Sequence, residues 1–150
     1  MEEELTDDPE APDGAEARRS DGLPRRLVSL PPSADEAASL EVARRIVELA
    51  EDKKAADIVL LDLRELTTLA DYFVVCSGGS ERQLGAIADG IVETLRAEGV
   101  RPIGREGRPT SHWMLLDFGS VIVHIFTPPE RDFYQLEKHW SAARTILRVQ

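Results

Sequence analysis

Residues 74–83 read "VVCSGGSERQ", a β-branched apolar pair running through two glycines into a helix start. A strand, a Gly-rich turn and a helix N-terminus are the parts of a phosphate cradle, because glycine lets backbone N–H groups close on an anion. The same parts also make a plain strand-to-helix turn. Ser80 and Gln83 have the spacing of a capping box. Leu84, Ile87, Ala88, Ile91, Val92 and Leu95 then recur at helical spacing, and Gly99 stands where a terminating C′ glycine belongs. The stretch therefore fixes a strand–turn–helix unit, and the rest of the chain is read outward from it.

Upstream, "SADE" (33–36) is a second capping box with Ser33 at the N-cap, and Leu40, Ala43, Ile46, Val47 and Ala50 predict a helix over about 34–52. "DIVLLDL" (57–63) is a nearly all-apolar run, the pattern of a strand covered on both faces, and "YFVVCS" (72–77) is a second strand. Downstream come a short strand near "VRPI", then "HWMLLDF" (112–118) and "SVIVHIF" (120–126), the last two flanking Gly119 as in a tight hairpin. "TPPE" (127–130) predicts a third capping box with Thr127 as N-cap and proline at the first helical position. Phe133, Leu136, Trp140 and Ala143 would form the apolar face of one last helix. The order is helix, two strands, helix, three strands, helix. It predicts a single α/β domain over 33–150 with a mixed sheet of about five strands flanked by helices.

The 150 residues carry a formal net charge of −10, and 11 acidic against 4 basic side chains fall in residues 1–39, leaving 17 against 14 in the remainder. Residues 1–32 hold repeated Glu, Asp, Pro, Gly and Ala and no aromatic. Such a segment buries too little apolar surface to offset the entropy of ordering, so it is read as an acidic disordered tail. Its "RRSDGLPRRL" stretch is a solvated run or a small interaction patch. The acidic balance disfavours direct gripping of nucleic acid. No run approaches the ~18 apolar residues of a membrane span, and the start "MEEELTDDPE" is unlike a signal peptide. The single cysteine, Cys76, excludes an internal disulfide and suits a reducing cytoplasm.

Catalytic constellations are poorly supported. "GGS" lacks both the P-loop lysine and the G-x-G-x-x-G spacing. Nucleotidyltransferases of the polymerase-β type follow a Gly-Ser turn with a D-x-[DE] pair that holds Mg²⁺ ions; here Asp89 lies within a helix pattern and Asp117 stands alone in "LLDFG". Without the pair the triphosphate has no charge stabiliser, so "SGGSERQ" is read as a turn plus an N-cap. His112, His124 and His139 have no ligand partners at metal-binding spacing and are read as structural, and Cys76 as a small buried hydrophobe. No enzyme activity, cofactor or metal is expected. Surface-like aromatics stand out instead: Trp113 in a strand, Phe118 at the hairpin tip, and Tyr134 about 100° from the Phe133 stripe. Trp113 either caps the core or anchors a partner.

"DYFVVCSGGSERQLGAIADGIVETLRAEGV" (71–100) followed by "HWMLLDFGSVIVHIFTPPERDFYQLEKHW" (112–140) strongly resembles the ribosomal silencing factor family, also called Iojap-like. The pattern D-Y-F-V-[IV]-C-S-G falls at Asp71–Gly78, W-x-L-L-D-[YF]-G at Trp113–Gly119, V-V-H-[IV]-F at Val121–Phe126 and F-Y-x-L-E-x-x-W at Phe133–Trp140. Gly79 replaces a more usual threonine and Ser120 an aspartate. The resemblance spans roughly 37–145 and implies a nucleotidyltransferase-like fold without catalytic carboxylates. It further implies binding to the large ribosomal subunit through its protein fourteen (uL14), with steric block of small-subunit joining and repression of translation. An organellar branch assists large-subunit assembly, which supplies the alternative function; a nucleotidyltransferase is a distant third. Carried over by position, Trp113 and Tyr134 with Phe118 are the expected partner contacts, and Asp117 and Gly119 shape the hairpin. Neither sequence-specific nucleic-acid binding nor a membrane is expected, and self-association into a homodimer would cover the apolar patch off the ribosome.

Overall fold

The sheet of the computed structural model, which describes residues 34–150, is organised around "YFVVCS", now strand β2 (Tyr72–Ser77). All six of its residues are buried. Its neighbours are β1 (Ala56–Asp62), antiparallel, and β5 (Val121–Phe126), parallel. Beyond β5 lie β4 (Trp113–Asp117) and then β3 (Gly104–Glu106), each antiparallel to its neighbour, and beyond β1 lies β6 (Arg144–Val149). The strand order is β3-β4-β5-β2-β1-β6. Ser33 and the segment 1–32, with the cap, the tail and the interaction patch read there, lie outside the described residues.

Because side chains alternate across a strand, the sheet carries two cores. On one face Ile58, Leu60, Val74, Cys76, Leu116 and Val123 pack against the apolar stripes of helix α1 (Ala34–Asp52) and helix α2 (Glu81–Ala97). Both helices occupy the spans that their periodicity predicts. Helix α2 ends as its sequence dictates: Gly99 takes φ +92°, the Gly99 N–H donates to Arg96 O at 3.0 Å and the Val100 N–H to Leu95 O at 2.8 Å, a Schellman closure. Each buried Leu or Ile in this layer contributes roughly 1.5–3 kcal/mol.

On the other face Val59, Leu61, Phe73, Val75, Trp113 and Phe126 lie under the 63–70 connection and two short helices, α3 (Pro128–Tyr134) and α4 (Leu136–His139). Here the structure corrects the sequence reading. The expected last helix breaks at Gln135, which sits at φ +50°, so its two halves have different phases. Leu136 and Trp140 are buried as expected, but Phe133 points outward and Tyr134 inward. The third capping box does not form, and the Thr127 hydroxyl is buried with no hydrogen-bond partner among the described residues. Pro129, at the second helical position, removes one of the two N–H donors that an N-cap side chain can accept from.

The sheet has six strands, not about five. The added strand is β6, which follows Ala143, the last residue of the expected helical stripe, while β3 lies directly after "VRPI", near which a short strand is expected. In the β1–β6 ladder Leu60 faces Leu147 and Leu61 faces Thr145, so Ile146 is an extra, bulged residue. A bulge with Arg144 and Arg148 beside it blunts an otherwise free edge. At one end of β1, Arg64 grips Asp62 through Nε (3.0 Å) and Nη2 (2.9 Å) and lies 5.6 Å over the Tyr72 ring. Burial works against ionisation of Asp62, but hydrogen bonds from Arg64 outweigh it and hold the carboxyl below its ordinary value.

Candidate functional site

The Gly-rich turn is closed on itself. The Gly78 N–H donates to Phe126 O at 2.9 Å, the Gly79 N–H to Gln83 Oε1 at 2.6 Å and the Gln83 N–H to Ser80 Oγ at 3.1 Å. The Gln83 amide also donates to the carbonyls of Lys53 and Lys54, at 3.2 and 2.9 Å, tying this turn to the end of α1. The capping pair therefore forms in altered shape, with Gln83 reaching the N–H of Gly79 instead of Ser80. The N–H groups of Gly78, Gly79 and Gln83 hold the protein's own oxygens. Asp89 pairs with Arg105 at 3.0 Å on the outside of α2, and Asp117 accepts the Gly119 N–H at 2.8 Å. Among the described residues no group of three or more His, Cys, Asp or Glu is arranged to hold a metal ion. Cys76 is wholly buried, and burial pushes its thiol up to about 12, so at neutral pH it is neither thiolate nor nucleophile. No helix among the described residues is long and apolar enough to cross a membrane.

The aromatic residues assemble into one structure. Trp113 opens β4 opposite Phe126 of β5, and the two rings stack with centroids 5.0 Å apart. Tyr134 covers Trp113 from α3 at 4.7 Å. The Trp113 indole Nε1–H donates to His124 Nδ1 at 3.3 Å. Indole nitrogen can only donate, so this bond makes Nδ1 the acceptor and puts the proton of neutral His124 on Nε2. His124 is fully buried, and desolvation drives its pKa down to about 3. Its Nε2 and the indole nitrogen of Trp140 are buried without hydrogen-bond partners among the described residues. His124 is thus a half-satisfied core histidine, and His112 a surface one, 3.0 Å from Glu81.

The five residues expected at the interface fall into two groups. Trp113 and Tyr134 are in ring contact, but Trp113 is only 9% exposed, so the surface reading of its side chain is corrected: it is the floor of the aromatic stack. Asp117, Phe118 and Gly119 form the hairpin at the far end of β4, four residues or about 13 Å away at ~3.3 Å per residue. Gly119 adopts φ +88°, held by the Asp117 carboxylate, and Phe118 packs against the helix-covered core. The turn at Gly107 (φ +83°) also needs its glycine, since a Cβ there would meet the Trp113 carbonyl.

Two further residues escape the sequence reading. Phe133 is 75% exposed, with its ring edge-on to Tyr134 at 5.0 Å. Arg131, 8% exposed, holds α3 to the sheet: Nε and Nη2 fork onto Glu137 at 2.8 and 3.0 Å, and Nη1 donates to Asp57 O at 2.8 Å and Ser77 Oγ at 2.7 Å. Asp57 sits at φ +48° in the bulged start of β1, and Arg148 of β6 reaches its carboxylate at 2.9 Å. No local spacing announces this network, because its members come from five separate elements.

A family model described as "Ribosomal silencing factor during starvation" matches residues 36–150. A ribosomal silencing factor of Halalkalibacterium halodurans is 37% identical over 106 residues, covering 71% of this chain and 91% of that protein. A crystal structure from Chromobacterium violaceum superposes with a TM-score of 0.66 at 37% identity, covering 68% of this chain and 85% of its own. The "Mitochondrial assembly of ribosomal large subunit protein 1" of mouse is 32% identical, over 64% of this chain and 43% of that protein. The chain belongs to the ribosomal silencing factor family.

Proposed function

We propose that the protein represses translation in the cytoplasm by binding the large ribosomal subunit through its protein fourteen (uL14) and sterically blocking small-subunit joining. The observation that carries this reading is the family match across residues 36–150. The site agrees with it in kind. The Gly-rich turn is bridged by the side chains of Ser80 and Gln83, while exposed Phe133 and half-buried Tyr134, mounted over buried Trp113, offer aromatic groups of the sort that anchor protein partners. The Asp117–Phe118–Gly119 hairpin supplies a second, separate contact. The chain's negative charge suits a basic ribosomal protein and disfavours direct gripping of ribosomal RNA.

Assembly of the large subunit is the second reading, favoured by the likeness to the mouse assembly protein. The two are separated by sedimentation with purified mature large subunits, with and without small subunits. The silencing reading predicts co-sedimentation with mature large subunits and fewer joined ribosomes. Binding only to immature large-subunit particles would favour assembly, and binding to neither would overturn both.

A further inference from the structure

We infer that the outer ridge of α3, centred on Phe133, is an interaction surface that seats in an apolar socket on a cationic protein surface. This rests on the reading that the protein binds the large subunit through a basic ribosomal protein, and it names the anchor. Phe133 and Ile103 are the large hydrophobic residues that stand exposed among the described residues, at 75% and 74%. Pro129, four residues before Phe133 and also exposed, lies on the same helical face.

Three observations make this ridge more than a stray exposed ring. It is rigidly mounted, because Arg131 in the middle of the same helix is fixed by hydrogen bonds to Glu137, Asp57 and Ser77. An anchor held in place before binding gives up little rotational freedom on docking. It is also continuous with the aromatic stack: Phe133 meets Tyr134 edge-on at 5.0 Å, and Tyr134 meets Trp113 at 4.7 Å. Finally, the charges beside it on α3 are acidic. Glu130 and exposed Asp132 flank the ridge, while the helix's cation, Arg131, is turned inward and neutralised. An apolar knob with a carboxylate rim fits a socket edged by Lys or Arg and repels a phosphate backbone. It also opposes a second copy of this chain, which would bring the same carboxylates together.

The test uses the full-length chain and purified large subunits, with Phe133→Ala, Phe133→Leu and Asp132→Asn beside wild type. Phe133→Ala should melt within a degree or two of wild type, since the ring packs on no core, yet bind large subunits at least thirtyfold more weakly. Phe133→Leu should recover most of that loss by refilling the socket. Asp132→Asn should weaken binding severalfold at low salt and much less at high salt. Wild-type binding with Phe133→Ala within threefold of it overturns the anchor alone. Failure of wild type to bind large subunits overturns the reading of function and the occupant with it. A wild-type dimer that Phe133→Ala dissolves, with ribosome binding unchanged, would assign the ridge to a second copy and contradict the inference.

Discussion

The two faces of the sheet are buried in different ways. One is covered by two long helices whose apolar stripes run the length of α1 and α2; it is mostly aliphatic, with Tyr72 its one buried ring, and contains one fully buried thiol. The other is covered by a connection and two short helices, is aromatic, and encloses an unprotonated histidine and a buried arginine. Regular cover needs only side-chain volume. Irregular cover needs particular bonds, such as the Arg131 fork and the Trp113–His124 hydrogen bond, to fix segments that periodicity does not hold. The second face is therefore where polar chemistry sits in the core and where aromatic rings reach the surface.

If both faces are true core, truncation should be costly on either. Ile91→Ala on the buried face of α2 and Trp113→Ala under Tyr134 are each expected to destabilise the fold, by about 2–5 and about 3–5 kcal/mol, in urea unfolding. A Trp113→Ala cost below ~1 kcal/mol would show that the aromatic face is surface. Arg131→Met should cost about 3 kcal/mol, because it leaves Glu137 and the Asp57 carboxylate without their central cation, and should loosen α3 before the helix-covered face in hydrogen exchange.

Acid should also discriminate between the faces. His124 has its pKa depressed to about 3 in the fold, against ~6.5 when unfolded, so the unfolded chain takes up the proton first. Stability is complete above ~6.5 and falls with pH below it, by about 2 kcal/mol at pH 5. His124→Gln should start less stable but lose this dependence; an unchanged slope from pH 7 to 5 would place the titration elsewhere. The smallest effect is expected from deleting residues 1–32. Its acidic, aromatic-free composition offers little apolar surface to pack against the domain, so the melting temperature should stay within a degree or two.

The same contrast explains what could be read in the sequence. Helices α1 and α2, strands β1, β2, β4 and β5, and the Gly119 hairpin follow from periodicity, caps and turn chemistry, which are local. The aromatic face is not local. Nothing in "RDFYQLEKHW" marks Gln135 as the left-handed residue that rotates Phe133 out and Tyr134 in, since neither glycine nor proline is present there. Strand β6 is masked because Ala143 continues an apparent helical stripe, and its pairing with β1 spans most of the domain. Which of the two rings, Phe133 or Tyr134, lies outermost is decided by the break.

The central claim is that this aromatic, loop-covered face carries the contact that keeps subunits apart. The direct measurement mixes purified small and large subunits with the protein and reads the joined fraction on sucrose gradients. The account predicts that wild type lowers the joined fraction, and that a folded Tyr134→Ala chain, added at the same concentration, leaves it close to that of subunits alone. A folded Tyr134→Ala, Phe133→Ala double variant that blocks joining as well as wild type would contradict it.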